Sequence, residues 1–284
     1  MSSSNLRKSF SLPNERPALM GILNVTPDSF SDGGRYLAFA DAVAAGEQMF
    51  ADGADLVDVG GESTRPGAAP VPLGEELMRT IPVIEALADR GIPTSIDTMK
   101  PAVAKAALKA GAFLVNDVSG LRDEAMMAVV MEHKCSVCVM HMQGEPRTMQ
   151  ANPTYGDVVR EVRDYLADKA DTLRKNGLER EHIWIDPGVG FGKTVAHNLR
   201  LLNELETLVE TGFPVLIGVS RKSFIGKIAG TEKAPAPMEE RYEGTLAAQV
   251  AAQMKGCRII RTHDVAGARR AIDLIAAVLN APTA

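Results

Sequence analysis

Gly53-Ala54-Asp55-Leu56-Val57-Asp58, Gly111-Ala112-Phe113-Leu114-Val115-Asn116 and Gly256-Cys257-Arg258-Ile259-Ile260-Arg261 are three copies of one short pattern. Each runs from a glycine, through an apolar stretch too short for a helix, to a polar residue. The glycine suits the left-handed residue that closes a preceding helix, and the apolar stretch suits a parallel strand covered on both faces. Working outward, such runs occupy residues 19–25, 55–59, 93–96, 113–115, 136–140, 183–185, 215–219 and 259–260. Gly91, Gly177 and Gly212 stand before further runs in the same way. Between them the apolar residues step by three and four, as in Val162, Leu166, Ala170 and Leu173, or Leu201, Leu205 and Leu208, which is helical spacing. Pro101 stands where a first helical turn tolerates proline. Eight β-then-α units with no low-complexity linker in 284 residues predict an α/β fold of one domain, a (β/α)8 TIM barrel. Its bounds are residues 18–284, after a loose tail over 1–17; a doubly wound sheet is the alternative topology.

Composition narrows the function classes. The chain has 31 Lys and Arg against 36 Asp and Glu, a net charge of −5, with 45% hydrophobic and 24% charged residues. Those are the proportions of a soluble globular protein, and the acidic pI of about 5.6 argues against general nucleic-acid binding. Three cysteines cannot build a disulfide framework, so a cytoplasmic setting is expected. No apolar run approaches the roughly 20 residues that cross a bilayer. The opening Met1-Ser2-Ser3-Ser4-Asn5-Leu6-Arg7-Lys8 has charge but no apolar signal-peptide core.

A barrel of this type places its site at the C-terminal ends of its strands. There the sequence puts Asn24, Asp58 with Glu62, Asp97, Asn116 with Asp117, His141, Asp186, Ser220 with Arg221 and Lys222, and Arg261 with His263. Any one of them can be a helix cap or a loop satisfier; a polar residue at every strand end is hard to explain by capping alone. Asp97, Asn116 and Asp186 supply acceptors able to read a flat heterocycle with ring N–H and amino groups. Arg65, Arg221, Lys222, Arg261 and His263 supply the positive charge that a phosphorylated substrate needs in an acidic protein. Glycines at 33–34, 60–61 and 188–192 would let backbone N–H groups approach a ligand.

Several motifs fail. Gly188-Val189-Gly190-Phe191-Gly192-Lys193-Thr194 ends like a phosphate-binding P-loop, but the required first glycine is Pro187. Cys135 and Cys138 form a lone C-x-x-C inside an apolar strand, which reads as buried free thiols. Ser63 and Ser220 lack the glycines of a nucleophile elbow. His133, His182 and His197 read as surface or helix-end residues. Met127, Met131, Met140 and Met142 read as core packing, with Met140 placed to wall a pocket.

Gly21-Ile22-Leu23-Asn24-Val25-Thr26-Pro27-Asp28-Ser29-Phe30-Ser31-Asp32-Gly33-Gly34 resembles the first signature of the bacterial dihydropteroate synthases, a pterin-binding family. Gly60-Gly61-Glu62-Ser63-Thr64-Arg65-Pro66-Gly67 resembles the second. Ser95-Ile96-Asp97-Thr98, Asn116-Asp117-Val118-Ser119-Gly120, Met140-His141-Met142-Gln143-Gly144, Asp186-Pro187-Gly188, Ser220-Arg221-Lys222-Ser223 and Arg261-Thr262-His263-Asp264 follow in the family's order. The likeness spans residues 19–279, with Thr262 standing where the pattern would have Val.

The resemblance implies condensation of 6-hydroxymethyl-7,8-dihydropterin diphosphate with 4-aminobenzoate to 7,8-dihydropteroate and diphosphate. It also implies Mg²⁺, sulfonamides as competitors of the aminobenzoate, and a homodimer. By the same likeness Asp186 accepts the pterin's 2-amino and N3–H donors, while Asp97 and Asn116 read the other ring edge. Lys222 meets the pterin carbonyl and ring nitrogen, and Met140, Phe191 and Ser220 complete the substrate-binding set. Asn24, Thr64, Arg261 and His263 hold the diphosphate, with Asn24 a ligand to Mg²⁺. Ser223 and the Arg65-Pro66 loop border the aminobenzoate. The arylamine attacks an exocyclic methylene, so the reaction needs no covalent nucleophile, and alignment alone supplies on the order of 7–11 kcal/mol. The glycine- and serine-rich stretches 28–34 and 60–67 are expected to order around diphosphate. Two other readings are a methyltetrahydrofolate–corrinoid methyltransferase, which needs no diphosphate grip, and a silent pterin-binding paralogue, which should have lost motif residues.

Overall fold

The computed structural model describes residues 10–25, 35–63, 69–146 and 148–282. Eight strands alternate with helices: β1 Ala18–Asn24, β2 Leu56–Gly60, β3 Thr94–Asp97, β4 Leu114–Asp117, β5 Ser136–Met140, β6 Ile183–Asp186, β7 Leu216–Ile217 and β8 Ile259–Thr262. All pairs are parallel, in the order β6-β5-β4-β3-β2-β1-β8-β7. A parallel bridge between Ile185 and Val215 joins the ends of that row and closes the cylinder. Closure in sequence order is the barrel predicted and excludes the doubly wound alternative, whose sheet has free edges and a reversal of strand order.

The helices are α1 Arg35–Ala51, α2 Leu73–Asp89, α3 Pro101–Ala110, α4 Glu124–His133, α5 Val158–Lys175, α6 Val195–Asn203, α7 Glu206–Val209, α8 Ser223–Ala229, α9 Tyr242–Met254 and α10 Val265–Leu279. Their ends follow the local chemistry. Pro101 opens α3, Asp157 caps α5 through Val159 and Arg160 N–H, and Asp264 caps α10 through Gly267 N–H. Gly53, Gly91, Gly111, Gly177, Gly212 and Gly256 all take positive φ, as the repeat predicts.

Strand pleating sorts the side chains into two cores. Leu19, Val57, Ile96, Val115, Val137, Ile183, Ile217 and Ile260 join the core shared with the helices. Ala18, Met20, Leu56, Leu114, Cys138, Trp184, Leu216 and Ile259 fill the lower barrel. Cys135 belongs to the first set and Cys138 to the second, so the C-x-x-C thiols are split between two cores, each buried. The methionine cluster is split as well. Met140 and Met142 pack with Met149 and Val118, whereas Met127 and Met131 pack against the helix-side core.

Residues 10–17 depart from the loose tail expected there. Phe10 stacks on Phe113 at 4.7 Å between ring centroids and leans on Trp184 at 6.1 Å. Arg16 holds Asp55 with two bonds of 2.7 and 2.8 Å, and Arg258 donates to Pro13 O at 2.5 Å. This segment stoppers the end where the strands begin, leaving the opposite end for chemistry.

Candidate active site

Just above the apolar floor, the inward positions turn polar. Asp58, two residues after floor residue Leu56, is fully buried. Its Oδ1 accepts from Ser95 Oγ at 2.6 Å, and its Oδ2 from Asn116 Nδ2 at 3.0 Å and Arg261 Nε at 2.6 Å. Because Asp58 takes an amide N–H of Asn116, that side chain offers a ligand its oxygen. Arg261 reaches on to Asp97 Oδ2 at 2.7 Å, while Asp97 Oδ1 is buried with no partner. An unsatisfied buried carboxylate oxygen is costly, and it marks where a ligand's donor fits. Burial raises the Asp97 carboxyl to about 7, against the pull of Arg261 and with the push of Asp58.

The second half of the site comes from the ends of β5 and β6 and the start of α8. Register sets Met140 beside Asp186. Asp186 Oδ1 accepts from Gly188 N at 2.7 Å, and burial raises its pKa while Lys222 opposes. Gly188 has φ of +65°, and a Cβ there would lie 2.0 Å from the His141 carbonyl oxygen. The loop after β6 therefore rests directly on the end of β5. Lys222 Nζ lies 4.4 Å over the Phe191 ring and donates to Val189 O. Burial lowers its ammonium to about 8, with Asp186 opposing. Ser220 Oγ meets His263 N–H at 3.2 Å and His263 Nδ1 at 3.0 Å, linking the ends of β7 and β8. Between Ser220 and Lys222, Arg221 takes φ of +59°, a costly conformation for a side-chain-bearing residue. Its N–H is held by Thr245 Oγ1 and its carbonyl by Arg241 Nη1.

Most residues expected at the site thus converge. Asp97, Asn116, Met140, Asp186 and Ser220 are buried, Phe191, Lys222, Arg261 and His263 are half-buried, and Asn24 and Ser223 are exposed at the rim. Thr64 and Arg65 lie outside the described residues, as does the stretch 28–34. The segment before Thr64 and the one after residue 68 are tied to each other. Glu62 Oε1 accepts from Val71 N at 3.3 Å, and Lys100 Nζ bridges Glu62 to the buried Glu76. Asp117, expected beside Asn116, spends itself on Ser119 and Leu121 N–H and is a loop cap. Among the described residues no three His, Cys, Asp or Glu side chains gather where a metal ion would fit.

Sequence reasoning noted Asp58 and His141 only as strand ends and Lys193 only as the lysine of a failed P-loop. For Asp58 a signal existed: a carboxylate at the inward parity of Leu56 inside an apolar strand. For Lys193 none did.

Three carboxylates (Asp58, Asp97, Asp186) and two cations (Lys222, Arg261) line the strand-end mouth of a closed parallel barrel, with Lys193 beneath them. That combination defines a (β/α)8-barrel enzyme for a polar heterocycle bearing N–H donors. The chain belongs to the pterin binding enzyme family, which it matches over residues 20–263, and within it to the dihydropteroate synthases. It is 44% identical over 272 residues, 95% of each chain, to the dihydropteroate synthase of Escherichia coli strain K12. To that of Synechocystis it is 47% identical over 253 residues, 88% of this chain and 86% of the other. Among solved structures, the Yersinia pestis dihydropteroate synthase with a sulfonamide drug superposes with a TM-score of 0.89 at 41% identity, covering 96% of this chain and 98% of that one. The Xanthomonas albilineans enzyme in complex with 7,8-dihydropteroate gives 0.83 at 42% identity, covering 94% and 95%. These relatives favour the synthase over the methyltransferase reading.

Proposed function

We propose that this chain joins 6-hydroxymethyl-7,8-dihydropterin diphosphate to 4-aminobenzoate, forming 7,8-dihydropteroate and releasing diphosphate. The observation that carries this reading is the set of buried acceptors, Asp97 Oδ1, Asn116 and Asp186, gathered around Lys222. A pterin's 2-amino and N3–H groups present parallel donors that the Asp186 carboxylate accepts. Lys222, an ammonium at neutral pH, donates to the pterin carbonyl and ring nitrogen. Met140 and Phe191 wall the ring. Asp97 and the Asn116 oxygen take donors from the other ring edge.

Arg261 spends Nε on Asp58 and one Nη on Asp97, which leaves its other Nη for a phosphate oxygen. His263, anchored by Ser220, faces the same leaving group, and Thr64 completes the grip. Ser223 at the start of α8 and Arg65 border the aminobenzoate. The protein thus aligns two substrates and neutralises departing charge, with no side chain attacking carbon. The site carboxylates Asp58 and Asp97 are engaged by Arg261, and a divalent cation would bind as a companion of the diphosphate. Asn24 would hold it through its amide oxygen beside the substrate's own oxygens, the pattern Mg²⁺ favours. When bound, Mg²⁺ withdraws charge from the leaving group.

The reading extends to a cytoplasmic homodimer. Three buried cysteines in a chain with no disulfide framework suit a reducing compartment. Leu274, Val278 and Leu279 of α10 and Met254 of α9 leave apolar surface exposed for a second copy. The test of function is diphosphate release from the pterin diphosphate with and without 4-aminobenzoate. Release that requires both substrates, with dihydropteroate accumulating in step, is expected; equal release without the arylamine would overturn the reading.

A further inference from the structure

Lys193 is 3% exposed and lies beneath the site, between the end of β5 and the loop that follows β6. Its Nζ has three acceptors: His141 Nδ1 at 3.1 Å, the His141 carbonyl at 3.2 Å and the Phe191 carbonyl at 3.0 Å. Burial lowers the Lys193 side chain to about 7, with Asp186 opposing. An ammonium spends its three hydrogens on these three atoms; an amine spends two hydrogens on the carbonyls and its lone pair on the His141 Nδ1–H. Neither form has a hydrogen left for a phosphate. The lysine of the failed P-loop is therefore not a phosphate ligand. Each of its partners belongs to a segment that carries a pterin-site residue. His141 follows Met140, and its N–H donates to the Asp186 carbonyl at 2.9 Å. Phe191 carries the ring under Lys222. Burial, with Lys193 adding to it, lowers the His141 imidazole to about 3 and keeps it neutral, so its Nδ1 is available to Lys193 as a hydrogen-bond partner.

We infer that Lys193 is a positioning residue of the pterin subsite: its side-chain nitrogen ties the end of β5 to the loop after β6 and so sets Met140, Asp186 and Phe191 at their mutual spacing. This rests on the dihydropteroate synthase reading and assigns to that reaction a residue that touches neither substrate. The tie joins β5 to the loop after β6 and bonds neither α8, which carries Ser223, nor residue 65, so its loss moves the pterin half of the site more than the aminobenzoate side.

The test is steady-state kinetics of Lys193→Met, which keeps the buried stem and deletes the donors, beside Lys193→Gln, which returns one donor. The expected result for Lys193→Met is a rise of about tenfold or more in KM for the pterin diphosphate, on the scale of one or two lost charged hydrogen bonds. KM for 4-aminobenzoate should stay within about threefold, and Lys193→Gln should fall between Lys193→Met and wild type. A purely structural lysine would lower the melting temperature and the active fraction without separating the two KM values, and that outcome overturns the inference. Should Lys193→Met fail to fold, the same split is read in Lys193→Gln, where equal KM changes for both substrates overturn it. Failure of the parent reading looks different, because the wild-type enzyme would then form no dihydropteroate at all.

Discussion

Asp97 has one oxygen paired with Arg261 and one buried with none, and that asymmetry gives it a measurable signature. Its carboxyl titrates near 7 in the folded chain, against 3.8 as its ordinary value. Between those values the folded protein keeps a proton that the unfolded chain has lost, so raising the pH across this window lowers stability. Asp97→Asn removes the titration. Relative to wild type, the variant should gain stability between pH 5 and pH 7.5, on the order of 2–3 kcal/mol. Each kcal/mol moves the melting temperature by about 2–4 °C in a chain of this size. Thermal melts of both proteins at the two pH values check it, and a constant difference would place the titration on another group. Asp58 is the contrast. Its three donors from Ser95, Asn116 and Arg261 satisfy it within the protein, so its part is to orient those side chains and not to meet a ligand.

The loop after β6 shows how an element carries a site. It is held from beneath by Lys193 and from the side by Gly188, whose backbone lies against the His141 carbonyl. In Gly188→Ala the added methyl meets backbone oxygen at 2.0 Å in a left-handed conformation. Strain and forced displacement together should cost about 2–5 kcal/mol and weaken binding of a free pterin. Gly177 is the control: φ is +98°, but a methyl there meets nothing within 4 Å, so Gly177→Ala should show only the strain, about 1–2 kcal/mol. Melting temperatures and calorimetric pterin titrations of the pair check this. Equal stability losses, or unaltered pterin binding in Gly188→Ala, would mean that the loop does not depend on that contact.

At the scale of the molecule, stability and chemistry sit at opposite ends of one barrel. Phe10 and Leu12 cover the floor residues, and Arg16 clamps Asp55. A chain beginning at Pro17 loses those contacts and no group of the site. Burial of one aromatic and one leucine side chain contributes about 3–5 kcal/mol, so the truncated enzyme should melt roughly 6–20 °C lower. Its KM values for both substrates should stay within twofold of wild type. An unchanged melting temperature, or a selective KM change, would contradict the division of labour.

What was legible in the sequence is what local physics controls. Strand runs, helical spacing and the left-handed glycines depend on near neighbours in the chain, so all eight strands and the barrel class could be read directly. The order of motifs also placed Asp97, Asn116, Asp186, Lys222 and Arg261 at strand ends. Their partners were another matter. The barrel's closure brings residues from β2, β3, β4 and β8 around one carboxylate, and only that closure turns Asp58 into a hub and Arg261 inward between two aspartates. The run from Gly188 to Thr194 looked like a phosphate loop because glycines and a lysine share a local pattern whatever the lysine faces. Packing against β5 decided that Lys193 points beneath the site. Residues 10–17, short and without a periodic apolar pattern, pass for a tail in the sequence; they were decided by the open barrel end, where Trp184 and Phe113 would otherwise meet water. Local propensity sets which elements form; long-range packing sets which side chain meets which, because contacts between distant residues exist only once the cylinder has closed.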